Sequence, residues 1–148
     1  MSLAEQIQRD TKEAMKSRDR QRSSALRMLS AALQNAELDD GEPLSQDEQE
    51  SVLRSQLKQR EESAEAYRKA GRDEQAERES AEAEIVRGYL PEPPSKDELE
   101  AIVDRAIQET GAVGVKDMGS VMGRAMELAE GRAEGRQLSA LVRMRLQQ

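Results

Sequence analysis

The chain has 148 residues, of which 36% are hydrophobic and 36% are charged, and its formal net charge is −7. It contains no histidine and no cysteine, which excludes Ser–His and Cys–His nucleophile pairs, thiolate or imidazole metal sites and disulfides. No cofactor is therefore expected. No uncharged run approaches the ~20 residues of a membrane helix, so we expect no membrane association and a cytoplasmic location.

The first forty residues predict two helices. Strand formers are scarce throughout the chain and strong helix formers dominate it, so the predicted fold class is all-α. Apolar residues recur at helical spacing from about residue 3 to 17, and a second pattern follows the charged turn 17–22 and continues to about residue 38. Gly41 and Pro43 then interrupt the chain.

Residues 45–90 predict a long helical hairpin. Ser45 and Glu48 form a capping box at the start of the third helix, which Gly71 ends. The fourth helix covers about 73–89 and consists mostly of charged residues and alanine. Because its carboxylates lack an apolar pocket that would shift their pKa, the acidic segment 60–84 is interpreted as a solvated surface.

The sequence PEPP (91–94) predicts a linker, since three prolines in four residues cannot continue a helix. It separates an N-terminal helical domain, 1–90, from a C-terminal module, 95–148. Three helices are predicted in the module. The first lies between Ser95 and Gly111, the second follows a cap at Asp117 and continues to about residue 130, and the third covers about 136–147.

Two glycine pairs in the module, each with a spacing of four and each accompanied by basic residues, are the candidate functional motifs. They lie in KDMGSVMG (116–123) and GRAEGR (131–136). If the module binds RNA, the candidate contacts are Lys116, Gly119, Gly123, Arg124, Gly131, Arg132, Gly135 and Arg136.

Each pair has an alternative explanation. Gly119 and Gly123 leave a strip without side chains, which either a neighbouring helix or a sugar–phosphate backbone could approach closely. Gly131 and Gly135 suit left-handed positions in a turn, although backbone N–H groups at the start of the next helix could also bind an anion. Methionines at positions 118, 122 and 126 are interpreted as a core stripe, with a partner-binding groove as the alternative.

A second basic set lies near the N-terminus: Lys12, Lys16, Arg18, Arg20, Arg22 and Arg27. It is interpreted as a solvated helical surface, with a phosphate-binding patch as the alternative. Aromatic residues are not interleaved with these cations, so stacking on bases is excluded as a main mode of RNA recognition. Contacts with RNA would involve its backbone and would be sensitive to salt.

The chain resembles the GatB/YqeY family, and specifically a free-standing YqeY-like protein, over essentially its whole length. The motifs YLP before the linker and KDMG-x-VMG are the most specific. The matching segments are 26–37, 57–82, 84–103, 109–123 and 131–143.

The resemblance implies a two-part all-helical fold and kinship with the tail of the B subunit of glutamine-dependent aminoacyl-tRNA amidotransferase, an appendage that contacts tRNA. The enzyme's phosphorylation and ammonia-releasing steps lie in other domains or subunits, so a non-catalytic tRNA-related accessory protein is expected. The family label of carbon–nitrogen ligase with glutamine as amido donor is interpreted as inherited from the large enzyme. Ser120 stands where family members often have lysine, and 127–131 lacks their basic stretch, so the basic face is thinner here.

Two other functions remain open at this point. An adaptor for a protein partner would use the acidic hairpin or the methionine stripe. An amide-transfer enzyme would need a nucleophile–base pair, which the sequence does not supply.

Overall fold

The computed structural model describes residues 1–147, and these form seven α-helices and no β-strand. The prediction of an all-α fold is confirmed. The helices are α1 (Leu3–Lys16), α2 (Arg20–Asp40), α3 (Gln46–Lys69), α4 (Asp73–Arg87), α5 (Lys96–Thr110), α6 (Met118–Ala129) and α7 (Gly135–Leu146).

The chain divides into two units, Met1–Pro91 and Glu92–Gln148, and each unit has its own hydrophobic core. In the first unit α1 packs against α2, and α3 packs against α4. Its fully buried large side chains include Ile7, Leu29 and Leu53. Of the helices in the described part of the chain, none combines the length and apolar character needed to cross a bilayer.

The hairpin of α3 and α4 is packed through alanine. Ala64, Ala76 and Ala83 are at most 2% exposed, so the two helices lie close together with little apolar volume between them. Arg60 Nη1 lies 3.2 Å from Glu79 Oε2 and 3.6 Å from Glu82 Oε2 across this contact. Burial and the neighbouring Glu79 raise the pKa of Glu82, and Arg60 partly opposes that shift.

Tyr89 ties the end of the hairpin to the first two helices. Its hydroxyl donates a hydrogen bond to Asp10 Oδ2 of α1 at 2.5 Å and accepts one from Arg22 Nη2 of α2 at 3.5 Å. Burial and the hydrogen bond to Asp10 raise the pKa of Tyr89. The tyrosine of the YLP motif therefore links the end of the hairpin to α1 and α2 within the first unit.

Replacing Tyr89 by phenylalanine removes this hydrogen bond and leaves the packed ring in place. We expect the free energy of unfolding of the first unit to fall by about 1–2 kcal/mol, the range for a partly exposed bond to a carboxylate. The midpoint of urea unfolding measures it, with an unchanged m-value showing that compactness is kept. Tyr67→Phe, on the hairpin, is the control. An unchanged midpoint for Tyr89→Phe would contradict the role given to its hydroxyl.

The second unit is a three-helix arrangement of α5, α6 and α7 around buried residues that include Val103, Val121 and Val142. Asp117 lies at the predicted N-cap position of α6, but its side chain makes no capping hydrogen bond to the helix. Its carboxylate instead accepts hydrogen bonds from the N–H groups of Val113, at 3.0 Å, and Gly114, at 3.4 Å. These bonds lower its pKa and hold the loop that leads through a short 3-10 turn into α6.

Candidate nucleic-acid interface

The exposed face of α6 carries a strip without side chains, formed by Gly119 and Gly123. Both glycines are exposed, and they lie across the helix from the fully buried Val121 and Ala125. Neither has a positive φ. Glycine in a helix costs roughly 1 kcal/mol against alanine, so each of these residues disfavours the helix that contains it.

No contact within the chain explains this glycine strip. Apart from the flanking residues and the nearby backbone of α6 itself, a Cβ atom placed on Gly119 or on Gly123 meets no atom of the described residues within 4 Å. No other helix of the second unit packs against the strip, so the alternative of a neighbouring helix would need a separate protein chain. Neither the backbone conformation nor internal packing requires glycine here, and the strip is open to an external molecule.

The residues around the strip are of mixed polarity. Lys116, in the turn before α6, is exposed and forms no ion pair within residues 1–147. Met126 is 40% exposed beside the strip, whereas Met118 and Met122 are half-buried and pack against the core. The interpretation of the methionines as a core stripe therefore holds for two of the three. Glu127 adds a negative charge to the same face.

Arg124 is already engaged by two carboxylates. Its Nε lies 2.5 Å from Oε2 of Glu109, and its Nη1 lies 2.8 Å from Oε2 of Glu127. Hydrogen bonds from Arg124 and Arg105 lower the pKa of Glu109. The charge of Arg124 is thus partly neutralised inside the unit, and a phosphate would have to compete for it.

The turn between α6 and α7 explains one glycine of the second pair but not the other. Gly131 has φ +74°, and Glu130 before it also lies in the left-handed region, with φ +52°. Gly135 is different: it is the first residue of α7, its φ is not positive, and an added Cβ meets nothing within 4 Å. The interpretation of both glycines as turn residues is therefore wrong for Gly135.

The two arginines near the start of α7 differ in whether they form an ion pair. Arg132 Nη1 lies 3.7 Å from Glu98 Oε2, whereas Arg136 is exposed and forms no ion pair within residues 1–147. The residue before the helix is Glu134, whose carboxylate disfavours an anion at that helix terminus. Arg143 lies seven residues after Arg136 and so on the same face, exposed and likewise without an ion pair. The sequence analysis missed Arg143, although this spacing in a predicted helix is a signal for it.

The structure places the eight candidate residues in two groups. Arg124 contacts Glu109 near the end of α5, and Arg132 contacts Glu98 near its start. These two carboxyl-bearing positions are separated by about 16 Å, given the rise of 1.5 Å per helical residue. One group follows the glycine strip, and the other surrounds the turn before α7. A single phosphate cannot bridge them, whereas a polymer of phosphates can.

The described residues hold no cluster of three or more carboxylates placed to share a metal ion. The fold and this site define a two-unit, all-helical protein whose candidate interface is the exposed face of α6 together with the turn before α7. A family model described as Yqey-like protein matches residues 4–146. The chain belongs to this YqeY-like family.

Relatives of two kinds were found. "Altered inheritance of mitochondria protein 41, mitochondrial" of Pyrenophora tritici-repentis is 31% identical over 130 residues, which cover 86% of this chain and 71% of that protein. The protein of the same name in Lachancea thermotolerans is 31% identical over 106 residues, 70% of this chain and 57% of its own length. The E subunit of the glutamyl-tRNA(Gln) amidotransferase of Thermococcus gammatolerans is 41% identical over 58 residues, 36% of this chain and 9% of its own length. The expected kinship with an amidotransferase subunit is thus supported.

Proposed function

We propose that this chain is a non-catalytic accessory protein that binds tRNA through the second unit. The observation that carries the proposal is the glycine strip. Two helix-weakening glycines, Gly119 and Gly123, are exposed, and nothing in the described chain requires them. The close approach of an external backbone to α6 would require positions without side chains, which these glycines provide. The likeness to an amidotransferase subunit whose name refers to tRNA suggests which backbone it is.

The unpaired cations of the second unit support contact with phosphates rather than bases. Lys116, Arg136 and Arg143 are exposed and free of ion pairs within residues 1–147, and each can approach a phosphate without breaking an internal contact. Residues 92–148 contain no aromatic side chain, so this unit has no platform on which bases could stack. Recognition would therefore depend on backbone shape and charge, with a strong dependence on salt.

Reversing the charge of Arg132 and Arg136 together tests the proposal. We expect binding to total tRNA to weaken, and the slope of log affinity against log salt to fall by about one for each phosphate that the variant no longer binds. Lys58→Glu with Arg78→Glu, on the hairpin, makes the same change in net charge and is the control. Equal affinity for the two double variants would contradict the assignment of the α6–α7 turn to the interface.

Glu127 is expected to oppose the binding of RNA. It lies on the exposed face of α6 and holds Arg124 at 2.8 Å, so Glu127→Gln removes a repulsive charge and partly releases that arginine. We expect affinity for tRNA to rise a few-fold at low salt, in proportion to about one recovered phosphate contact. Glu62→Gln, on the exposed hairpin, is the control, and electrophoretic mobility shifts measure both. A loss of affinity in Glu127→Gln would contradict this view of the interface.

The adaptor function remains the alternative. Its surface would be the acidic hairpin, where carboxylates at residues 62, 65, 73, 74 and 77 are exposed. Capture of a partner that depends on residues 60–84 and survives nuclease treatment would favour it over tRNA binding. A cytoplasmic location likewise stays a prediction, and the fungal relatives are named as mitochondrial proteins.

A further inference from the structure

The first unit contains a positively charged region within an acidic chain. Residues 9–27 include seven Lys and Arg residues and three Asp and Glu residues, a net charge of +4 in a protein whose total is −7. Five of these cations are exposed at the junction of α1 and α2. We name them the basic corner: Lys12, Lys16, Arg18, Arg20 and Arg27.

Members of the basic corner form no ion pair with any residue in 1–147. Elsewhere many cations are paired: Arg60, Arg87, Arg124 and Arg145 each contact two carboxylates. Carboxylates do occur nearby, because Glu13 and Asp19 lie within the same segment. Asp19, however, uses its carboxylate to accept the N–H of Arg22 at 3.1 Å, as the cap of α2.

Packing brings the two helices of the corner together. Arg27 Nη2 of α2 lies 3.3 Å from the sulfur of Met15 in α1, between Lys12 and Lys16 in sequence. Arg27 therefore lies beside the face of α1 that carries both lysines, because residues three and four apart share a helix face. Arg20 lies seven residues before Arg27 and so on the same face of α2, and Arg18 lies in the turn between the two helices.

Arg18 holds an unfavourable backbone conformation. Its φ is +60°, in the left-handed region, where a turn between two helices ordinarily favours glycine. The turn itself needs this conformation, since Asp19 N–H donates to the carbonyl of Ala14 at 2.9 Å and Arg18 N–H to that of Met15 at 3.2 Å. An arginine there is strained, and strain of this kind tends to occur at functional sites.

We propose that the basic corner is a second surface for RNA, binding the phosphate backbone independently of the glycine strip. Five unpaired cations on and between α1 and α2, one of them at a strained position, can bind a polyanion without breaking an internal ion pair. The identity of the polyanion as tRNA rests on the proposed function of the second unit. The contact itself needs only a chain of phosphates.

Nucleic acid fits the corner better than an anionic membrane. Met15 is the single large apolar side chain exposed among residues 9–27, and no aromatic residue occurs there to enter a lipid interface. Arginine makes up three of the five cations, and its planar guanidinium binds phosphate oxygens through two hydrogen bonds at once.

Neutralising Lys12, Lys16 and Arg27 with glutamine, in the full chain, tests the proposal. We expect affinity for total tRNA at low salt to fall on the order of tenfold, and the salt slope to fall by about two to three. Lys58→Gln with Arg72→Gln and Arg78→Gln, on the acidic hairpin, is the control with the same change in net charge, and its affinity should change much less. Circular dichroism checks that the variants keep their helices.

Arg18→Gly separates binding from folding, because its two effects have opposite directions. Glycine relieves the left-handed strain, so the thermal midpoint of the first unit should rise by about 5 °C. The same change removes a cation from the corner, so affinity for tRNA should fall a few-fold. A variant that is more stable and binds less tightly cannot owe its weaker binding to unfolding.

The outcomes distinguish this inference from the proposed function. If the corner variants weaken tRNA binding while changes at Arg132 and Arg136 do not, the basic corner is supported as an RNA surface and the proposed interface on the second unit is wrong. The opposite result overturns the corner. The inference is also overturned if the triple variant keeps wild-type affinity for tRNA. The same holds if the triple variant binds tRNA normally but binds phosphatidylserine vesicles less tightly than the wild type does.

Discussion

Gly119→Ala combined with Gly123→Leu is expected to stabilise the second unit while it abolishes close contact with RNA. Both residues are exposed in α6, and an added Cβ meets no side chain within 4 Å, so each substitution should gain helix propensity. The free energy of unfolding should rise by about 1–2 kcal/mol in total. A leucine at position 123 stands where we place the approaching backbone, and affinity for tRNA should fall by about tenfold or more, since one misplaced contact distorts the whole set.

Ser120→Ala is the matched control for this variant. Ser120 is exposed on α6 between the two glycines, and alanine there raises helix propensity without adding bulk to the strip. It should leave tRNA affinity unchanged. Thermal unfolding and fluorescence-monitored titration with total tRNA measure the two quantities on the same samples. A double variant that is more stable and binds tRNA as well as wild type would show that the strip contacts no RNA.

Leu138→Ala is expected to destabilise the second unit strongly and leave the stability of the first one unchanged. Leu138 is fully buried in a core whose residues all come from 99–146. Its truncation should cost about 2–5 kcal/mol. A unit of this size has a stability of roughly 3–8 kcal/mol, so much of it is lost. Helices α1 to α4 have a separate core and should stay protected in amide hydrogen exchange.

Leu29→Ala is the counterpart in the first unit, where Leu29 is also fully buried. Exchange should then increase in α1 to α4 and remain slow in α5 to α7. The tRNA affinity that each variant retains measures how much the unit without the substitution contributes to binding. Loss of protection throughout the chain in either variant would contradict the expectation of two separate cores that unfold independently.

The positions of the helices were predictable because their signals are local. Ser45 and Glu48 form the predicted capping box, with distances of 3.2 and 3.3 Å, and Gly71 has the predicted positive φ. Asp117 lies at the predicted start of α6, but its carboxylate accepts hydrogen bonds from the loop before the helix. Sequence spacing does not show whether a carboxylate binds the loop before it or the helix after it.

The candidate site was only partly predictable, since its properties depend on contacts across the fold. Arg124 and Arg132 were predicted as candidate contacts from their motifs alone, whereas their partners Glu109 and Glu98 are distant in sequence. Which charges are free is therefore visible only in the structure. The exposure of Gly119 and Gly123 could have been inferred, because they lie opposite Val121 and Ala125 on a helix of 3.6 residues per turn.

The most direct test of the central claim is a titration of the full chain with total tRNA across a series of salt concentrations, beside a variant with Lys116, Arg136 and Arg143 changed to glutamine. The account predicts micromolar or tighter binding at low salt, a steep decrease in affinity as salt rises, and a smaller slope in the variant. If the wild-type protein does not bind tRNA at low salt, the proposed function is wrong, and protein partners of the acidic hairpin should be sought instead.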